Sequence, residues 1–202
     1  LDQFASTVSH DLRNPLNVAQ GRIDLVREEC QSDHIRPVID ALDRMEHMIE
    51  DTLTLAREGD TVTTVDSITV SDIVDECWSM VDTEGATIVI QDEFTFQGDP
   101  SRVRHILENL FRNAVQHGGN EVTVRIGLLE NAGFYVEDDG PGIPTDQRGV
   151  VFEPGETSAK GGTGFGLTIV RRAAEAHGWD VSVTESDSGG ARFEFAGVEI
   201  EC

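Results

Sequence analysis

A histidine beside an acid stands near the start of the chain, in Ser9-His10-Asp11-Leu12-Arg13-Asn14-Pro15-Leu16. An imidazole in water titrates near neutral pH, so its free nitrogen can act as a nucleophile, and the adjacent Asp11 carboxylate can hold its tautomer. A solitary surface histidine does no chemistry as a rule; three clusters downstream give this one its interest. Asn109 and Asn113 lie one helical turn apart and share a face. An amide oxygen there is a suitable hard ligand for Mg2+, which keeps most of its waters and bridges phosphates. Asp138-Asp139-Gly140-Pro141-Gly142 follows an alternating segment. An acid at a strand end can accept from an exocyclic adenine amine, and glycines let the backbone approach a flat base. Gly162-Thr163-Gly164-Phe165-Gly166-Leu167 opens a helix, where bare N–H groups and the helix N-terminus favour anions.

Two helices must carry the histidine. Phe4, Val8, Leu12, Leu16, Ala19, Ile23 and Val26 recur at three- and four-residue steps over residues 1–31, and His10 falls outside that series. Pro15 cannot donate to the helix ladder, so a bend is expected just after His10. Residues 31–34 read as a tight turn, and 35–57 as a second amphipathic helix with Val38, Ala41, Leu42, Met45, Met48 and Ile49 on its apolar face. Such a hairpin offers more apolar width than one neighbour covers. A two-fold dimer giving a four-helix bundle is the economical solution, and packing on another domain of the chain is the other.

Glu58-Gly59-Asp60-Thr61 breaks the period, which sets the expected domains at 1–60 and 64–202. In the second, a strand at 66–70 leads to a helix whose N-terminus is expected at Ser71-Asp72. Strands are expected at 86–91 and 93–97. Asp99-Pro100 caps a helix that Gly118-Gly119 stops. Strands at 121–129 and 133–137, a helix at 164–177 and a hairpin of 180–185 with 191–195 complete an α+β pattern, helices on one face of a sheet.

These stretches, in this order, resemble the H-box, N-box, G1, F-box (Val151-Phe152-Glu153-Pro154) and G2 box of sensor histidine kinases, within the GHKL ATPase superfamily. The resemblance runs from His10 to the last strands. It implies a dimeric helical hairpin followed by a Bergerat-type α/β sandwich, with ATP and Mg2+ bound by the second domain. It makes His10 the phosphoacceptor, Asp11 its base or orienter, and Asn14 the residue aligning water for a reverse phosphatase reaction. Asn113 becomes the metal ligand, Asn109 a contact to the phosphate region, and Asp138 the adenine reader beside Gly140 and Gly142. Gly162, Gly164, Gly166 and Leu167 close a lid from which Lys160 reaches the γ-phosphate. A homodimer and a response regulator receiver domain are the implied partners.

Two departures stand out: Gln116 occupies a position often basic in the family, and the lid at Pro154-Gly155-Glu156-Thr157-Ser158 lacks the usual aromatic and arginine. A degenerate scaffold that relays conformation through the dimer is therefore an alternative. A GHKL-type hydrolase is disfavoured, because its water-activating glutamate would stand where Asn109 does. A metal phosphohydrolase built on His10-Asp11 lacks a ligand set.

Composition sets the surroundings. The 202 residues include 38 acidic and 15 basic ones, a formal net charge of -23, and Lys160 is the sole lysine. A nucleic-acid backbone would be repelled. Three cysteines without paired spacing (Cys30, Cys77 and Cys202) point to a reducing, cytoplasmic compartment without disulfides or zinc. No apolar run is long enough to span a bilayer and no signal peptide opens the chain. Leu1 is not an initiator methionine, so an excised piece is expected, its sensor and any membrane attachment lying elsewhere. Acid-rich, lysine-poor composition resembles haloarchaeal proteins. Self-repulsion should loosen the compact state in dilute buffer and salt should screen it. A circular-dichroism titration with KCl is expected to show folded content rising toward molar salt; a flat titration would contradict it.

Overall fold

The computed structural model describes residues 15–23, 25–26, 32, 35–57, 62, 65–81, 83, 85–119, 121–130, 132–154 and 164–201. His10, Asp11, Asn14, Lys160 and Gly162 lie outside these, as does the stretch that would carry a bend before Pro15. The described residues divide into two compact units, one drawn from Leu1–Glu58 and Thr157–Phe165 and the other from Gly59–Glu156 and Gly166–Cys202.

In the first unit, residues 15–23 and 25–26 are helical and α1 spans Ile35–Arg57, with the bounds that its periodicity predicts. At the start of α1 the Ile35 amide donates to the Ser32 carbonyl at 3.0 Å. Gln20 Nε2 donates to Glu46 Oε2 at 2.9 Å, tying one helix to the other. Leu16 and Ile35 are buried, yet Val18, Leu25, Val38, Met48 and Met45 (52% exposed) are not. A single hairpin leaves much of its apolar surface in water, as two amphipathic helices must.

The second unit runs β1 (Asp66–Thr69), α2 (Val70–Met80), β2 (Thr87–Ile90), β3 (Thr95–Gly98), α3 (Pro100–Gly118), β4 (Thr123–Leu128), β5 (Gly133–Asp138), α4 (Gly166–His177), β6 (Asp180–Glu185), β7 (Ala191–Ala196) and β8 (Ile200–Glu201). The strands form a five-stranded sheet in the order β2-β4-β5-β7-β6 and a three-stranded one in the order β1-β3-β8. Only β2 and β4 pair in parallel among them. The small second sheet and the two-residue β8 go beyond the sequence reading.

Alternation explains the layers. On β7, Ala191, Phe193 and Phe195 point to the core while Arg192 and Glu194 face outward. Phe134 stacks on Phe195 with centroids 4.8 Å apart, and Phe94, Phe96 and Trp179 close around it. Each such ring removed from water is worth roughly 1.5–3 kcal/mol. The outer face also shields itself. Tyr135 lies across Gly127, where an added Cβ would fall 2.6 Å from its hydroxyl. The Arg192 guanidinium covers the Tyr135 ring at 3.6 Å and pairs with the buried Glu137 at 2.9 Å. That is why β5 is buried on both faces.

One expectation is corrected. The second helix begins at Val70, with Thr69 at the cap and no side-chain cap bond. Ser71 Oγ instead donates to Glu93 Oε1 at 2.8 Å, so tertiary pairing takes the hydroxyl that the cap would have used. By contrast Asp99 caps α3 as read: its Oδ1 accepts from the Ser101 and Arg102 amides at 2.9 and 3.4 Å, with Pro100 in the first turn.

The start of α3 is fixed to the end of α4. His177 Nε2 accepts from the Asp99 amide at 2.8 Å, and its Nδ1 lies 2.7 Å from the Ala173 carbonyl, so the proton sits on Nδ1 and is donated there. The ring also stacks on Trp179 at 4.1 Å. His177→Ala should lower the unfolding free energy by about 1–3 kcal/mol, because a backbone donor loses its acceptor. Urea denaturation followed by Trp fluorescence checks this.

Candidate nucleotide-binding site

α3 is the rail on which the candidate residues are mounted. Its apolar face (Val103, Ile106, Leu107, Leu110, Phe111, Ala114) is buried, which turns Asn109 and Asn113 to a common side. Asn109 is only 9% exposed. Its Nδ2 donates to the His105 carbonyl at 2.8 Å, so Oδ1 is aimed away from its own helix. That oxygen meets the start of α4: a Cβ on Gly166 would lie 2.8 Å from it. A side chain at 166 would therefore push α4 off α3. Asn113 follows one turn on and is half-buried.

The other end of the rail meets the acid-glycine loop. Asp138 ends β5, and its Oδ1 accepts from the Gly140 amide at 2.9 Å and from the Ala191 amide at 3.2 Å. A Cβ on Gly140 would come within 3.0 Å of Gly118 Cα, the last residue of α3. Gly142 takes a left-handed φ of 70°, and a side chain there would strike the Gly189 carbonyl at 2.7 Å. From Asn109 to Gly118 the rail runs ~13 Å at 1.5 Å per residue. One end offers the Asp138 carboxylate, the other the Asn109 amide and the N-terminus of α4.

The two neighbouring acids have different work. Asp139 Oδ1 accepts from the Thr123 amide at 2.7 Å and its Oδ2 lies 3.8 Å from Arg125, so it serves the sheet. Asp138 faces the loop. Burial pushes its carboxyl above the ordinary carboxylate value and the Asp139 charge adds to that, against the pull of the Gly140 and Ala191 amides and of His117.

The F-box is anchored by residues that sequence patterns did not single out. Phe152 is buried edge-on to Phe193. Its carbonyl accepts from the buried Thr168 hydroxyl at 3.1 Å, and Glu153 pairs with Arg171 at 2.9 Å. Both partners come from α4, three residues apart on one face, which is the signal that could have found them. Arg148 holds the loop before it, donating to the Ile143 carbonyl at 2.8 Å and pairing with Glu185 at 2.9 Å. Gly164 has a left-handed φ of 73°, and Leu167 packs against the core. Thus Gly166 touches α3 at Asn109 and Gly140 touches it at Gly118, while Asp138 and Gly142 reach it only through their loop and are held by the turn between β6 and β7.

Comparison with known proteins accounts for the same two regions. Residues 98–199 match the model of the histidine kinase-, DNA gyrase B-, and HSP90-like ATPase family, and residues 1–61 match the His Kinase A (phospho-acceptor) domain. The chain belongs to that ATPase family. The phospho-acceptor match ahead of it makes this the core of a two-component sensor histidine kinase. It is 28% identical to the sensor histidine kinase ZraS of Salmonella typhimurium, over 96% of this chain and 44% of that protein. It is 29% identical to the sensor-type histidine kinase PrrB of Mycobacterium tuberculosis, over 94% and 46%. It thus spans about half the length of the curated relatives that it matches. The crystal structure of full-length ShkA in complex with AMPPNP matches with a TM-score of 0.67 at 25% identity, covering 100% of this chain and 47% of that one. Among the described residues, no helix is long and apolar enough to cross a membrane.

Asp138→Asn supplies a test with a definite sign. A carboxyl whose folded pKa is raised stabilises the fold fully only below its unfolded pKa, and that contribution is lost as pH rises through the folded value. At pH 7 the variant should therefore melt no lower than the wild type, with any advantage vanishing once the pH falls below the carboxylate range. ATP affinity should fall about 10–100-fold, since a charged acceptor becomes an amide. Thermal melts at the two pH values and equilibrium nucleotide titration check both halves.

Proposed function

We propose that this chain binds ATP with Mg2+ along α3 and transfers the γ-phosphoryl group to His10. The contact geometry around Asp138 is the observation that carries the reading. One carboxylate oxygen is taken by two backbone amides, which leaves the other to accept from a base amine. Glycines at 140 and 142 let the loop close on the end of α3 and on the turn between β6 and β7, which fixes the carboxylate at the strand end. Asn113 would hold the metal through its amide oxygen, with the phosphates and water supplying the other ligands. When bound, the cation neutralises charge on the phosphates. Among the described residues no group of three or more acidic, histidine or cysteine side chains could hold a metal by itself. A cation that arrives with its nucleotide needs none.

The chemistry at the acceptor is in-line displacement. The free nitrogen of His10 bonds to the γ-phosphorus as the bond to the ADP oxygen breaks, and the proton on the other ring nitrogen passes to Asp11. Positioning and charge neutralisation carry most of such catalysis. Lys160 and the glycines at 162, 164 and 166 enclose the phosphates, and Leu167 seats the lid on the core. The phosphoryl group then moves to an aspartate of a response regulator receiver domain, and Asn14 aligns water for the reverse phosphatase reaction. The working form is a homodimer, in which the exposed Val38, Met45 and Met48 of α1 find cover in a four-helix bundle. Residues 1–60 form the dimerisation and acceptor domain and 64–202 the ATP-binding domain. The chain works in the cytoplasm, and any membrane attachment of the whole protein lies outside it. Its acidity suits a salt-rich interior.

Incubation with Mg2+ and γ-labelled ATP should give a phosphate that is labile to acid and stable to alkali. His10→Ala should abolish that label and leave ATP affinity within about two-fold. Label that persists on the variant would remove His10 as the acceptor.

A further inference from the structure

The turn between β6 and β7 does more than close a hairpin. Ser186 is 4% exposed, and its hydroxyl donates to the Asp138 carbonyl at 2.8 Å while accepting from the Gly190 amide at 2.9 Å. Its own backbone completes the turn, the amide donating to the Gly190 carbonyl and the carbonyl accepting from Gly189, each at 2.9 Å. The next residue, Ala191, gives its amide to Asp138 Oδ1. There is no space between these parts. A Cβ on Gly190 would lie 2.0 Å from the Asp138 carbonyl oxygen and 2.6 Å from Oδ1, and one on Gly142 would strike the Gly189 carbonyl. The turn is therefore keyed to the acid-glycine loop on both sides, forty-eight residues away in sequence.

That contact reaches the carboxylate in two ways. The hydroxyl fixes the Asp138 backbone, and the turn it closes places the Ala191 amide on Oδ1. With Oδ1 held, the torsion of the carboxylate is set and Oδ2 has one direction left. An anionic acceptor in that position rewards a ring that presents an amine and repels one that presents a carbonyl oxygen.

We propose that Ser186 is a positioning residue for nucleobase selection, holding Asp138 so that the site accepts a 6-amino purine and rejects a 6-oxo one. The inference rests on the reading of Asp138 as the base acceptor. A hydroxyl that served folding alone would alter ATP and inosine triphosphate binding together. A positioning hydroxyl alters only the ligand whose amine it aligns.

Equilibrium titration of the whole chain with Mg-ATP and Mg-ITP separates the two. The wild type should prefer ATP by at least about ten-fold. Ser186→Ala should weaken ATP about ten-fold, close to the worth of one hydrogen bond, while ITP changes less than about two-fold. Ser186→Thr, which keeps the hydroxyl, should restore the preference. Equal loss of both nucleotides, or an unchanged preference, would overturn the role of Ser186. Should the alanine variant not fold, Ser186→Cys, a weaker donor, is read in the same way, and an unchanged preference there overturns it as well. A wild type with no preference for ATP would instead sink the assignment of Asp138, so the two failures are distinguishable.

Discussion

The seam between α3 and α4 is the constraint from which the candidate site follows. The helices run antiparallel and are gripped at two points. At one, Gly166 comes so close to the Asn109 amide that no side chain fits. At the other, His177 accepts the Asp99 amide across the seam. Helices packed through flexible side chains alone can slide by a fraction of a turn. A glycine contact at one end and a directed hydrogen bond at the other remove that freedom. The N-terminus of α4 and the polar face of α3 are thereby held in register, and the F-box rides with them through Thr168 and Arg171.

The five-stranded sheet supplies the second fixed element. Asp138 is the last residue of a strand buried on both faces, so its backbone has little latitude. The stacked Phe134 and Phe195 lock that strand from the helix side, while Arg192 on Tyr135 and Glu137 locks it from the other. The cost of burying the Asp138 carboxylate is offset only in part by its two amide donors, since desolvation still dominates its titration. A carboxylate kept unfavourably solvated and incompletely paired is primed to gain from a ligand donor.

Helix bounds, most strands and the Asp99 cap could be read from periodicity and local chemistry, because each depends on residues a few positions apart. The start of α2 could not, since the Ser71 hydroxyl is claimed by Glu93 from a different element. The order and types of the candidate residues were equally legible, but what their atoms do was not. Asn109 reads as a free polar amide; in the fold its Nδ2 is used by its own helix and only Oδ1 looks outward. Ser186 and Gly190 read as an ordinary hairpin turn. Their importance comes from a contact with Asp138 across the sheet, which no local pattern encodes. The two acids at 138 and 139 are indistinguishable as text and are separated only by strand register, which turns Asp139 to Thr123 and Arg125.

The charge balance bears on why glycine and amide, rather than cationic side chains, make up the candidate site among the described residues. A chain of net charge -23 must bind a polyanion. Among the described residues several arginines are committed to ion pairs between elements, as Arg104 with Glu76, Arg148 with Glu185, Arg171 with Glu153 and Arg192 with Glu137. Moving one of these to the phosphates would break a tertiary tie. A base is likewise missing at Gln116. Backbone N–H groups at the start of α4 carry partial positive charge that cannot be drawn into an ion pair, and they cost the fold nothing extra once the helix exists. Such donors also keep their strength when salt screens long-range attraction, because they act at hydrogen-bond distance. A nucleotide site built on amides and glycines is therefore a form in which phosphate binding remains compatible with so acidic a surface.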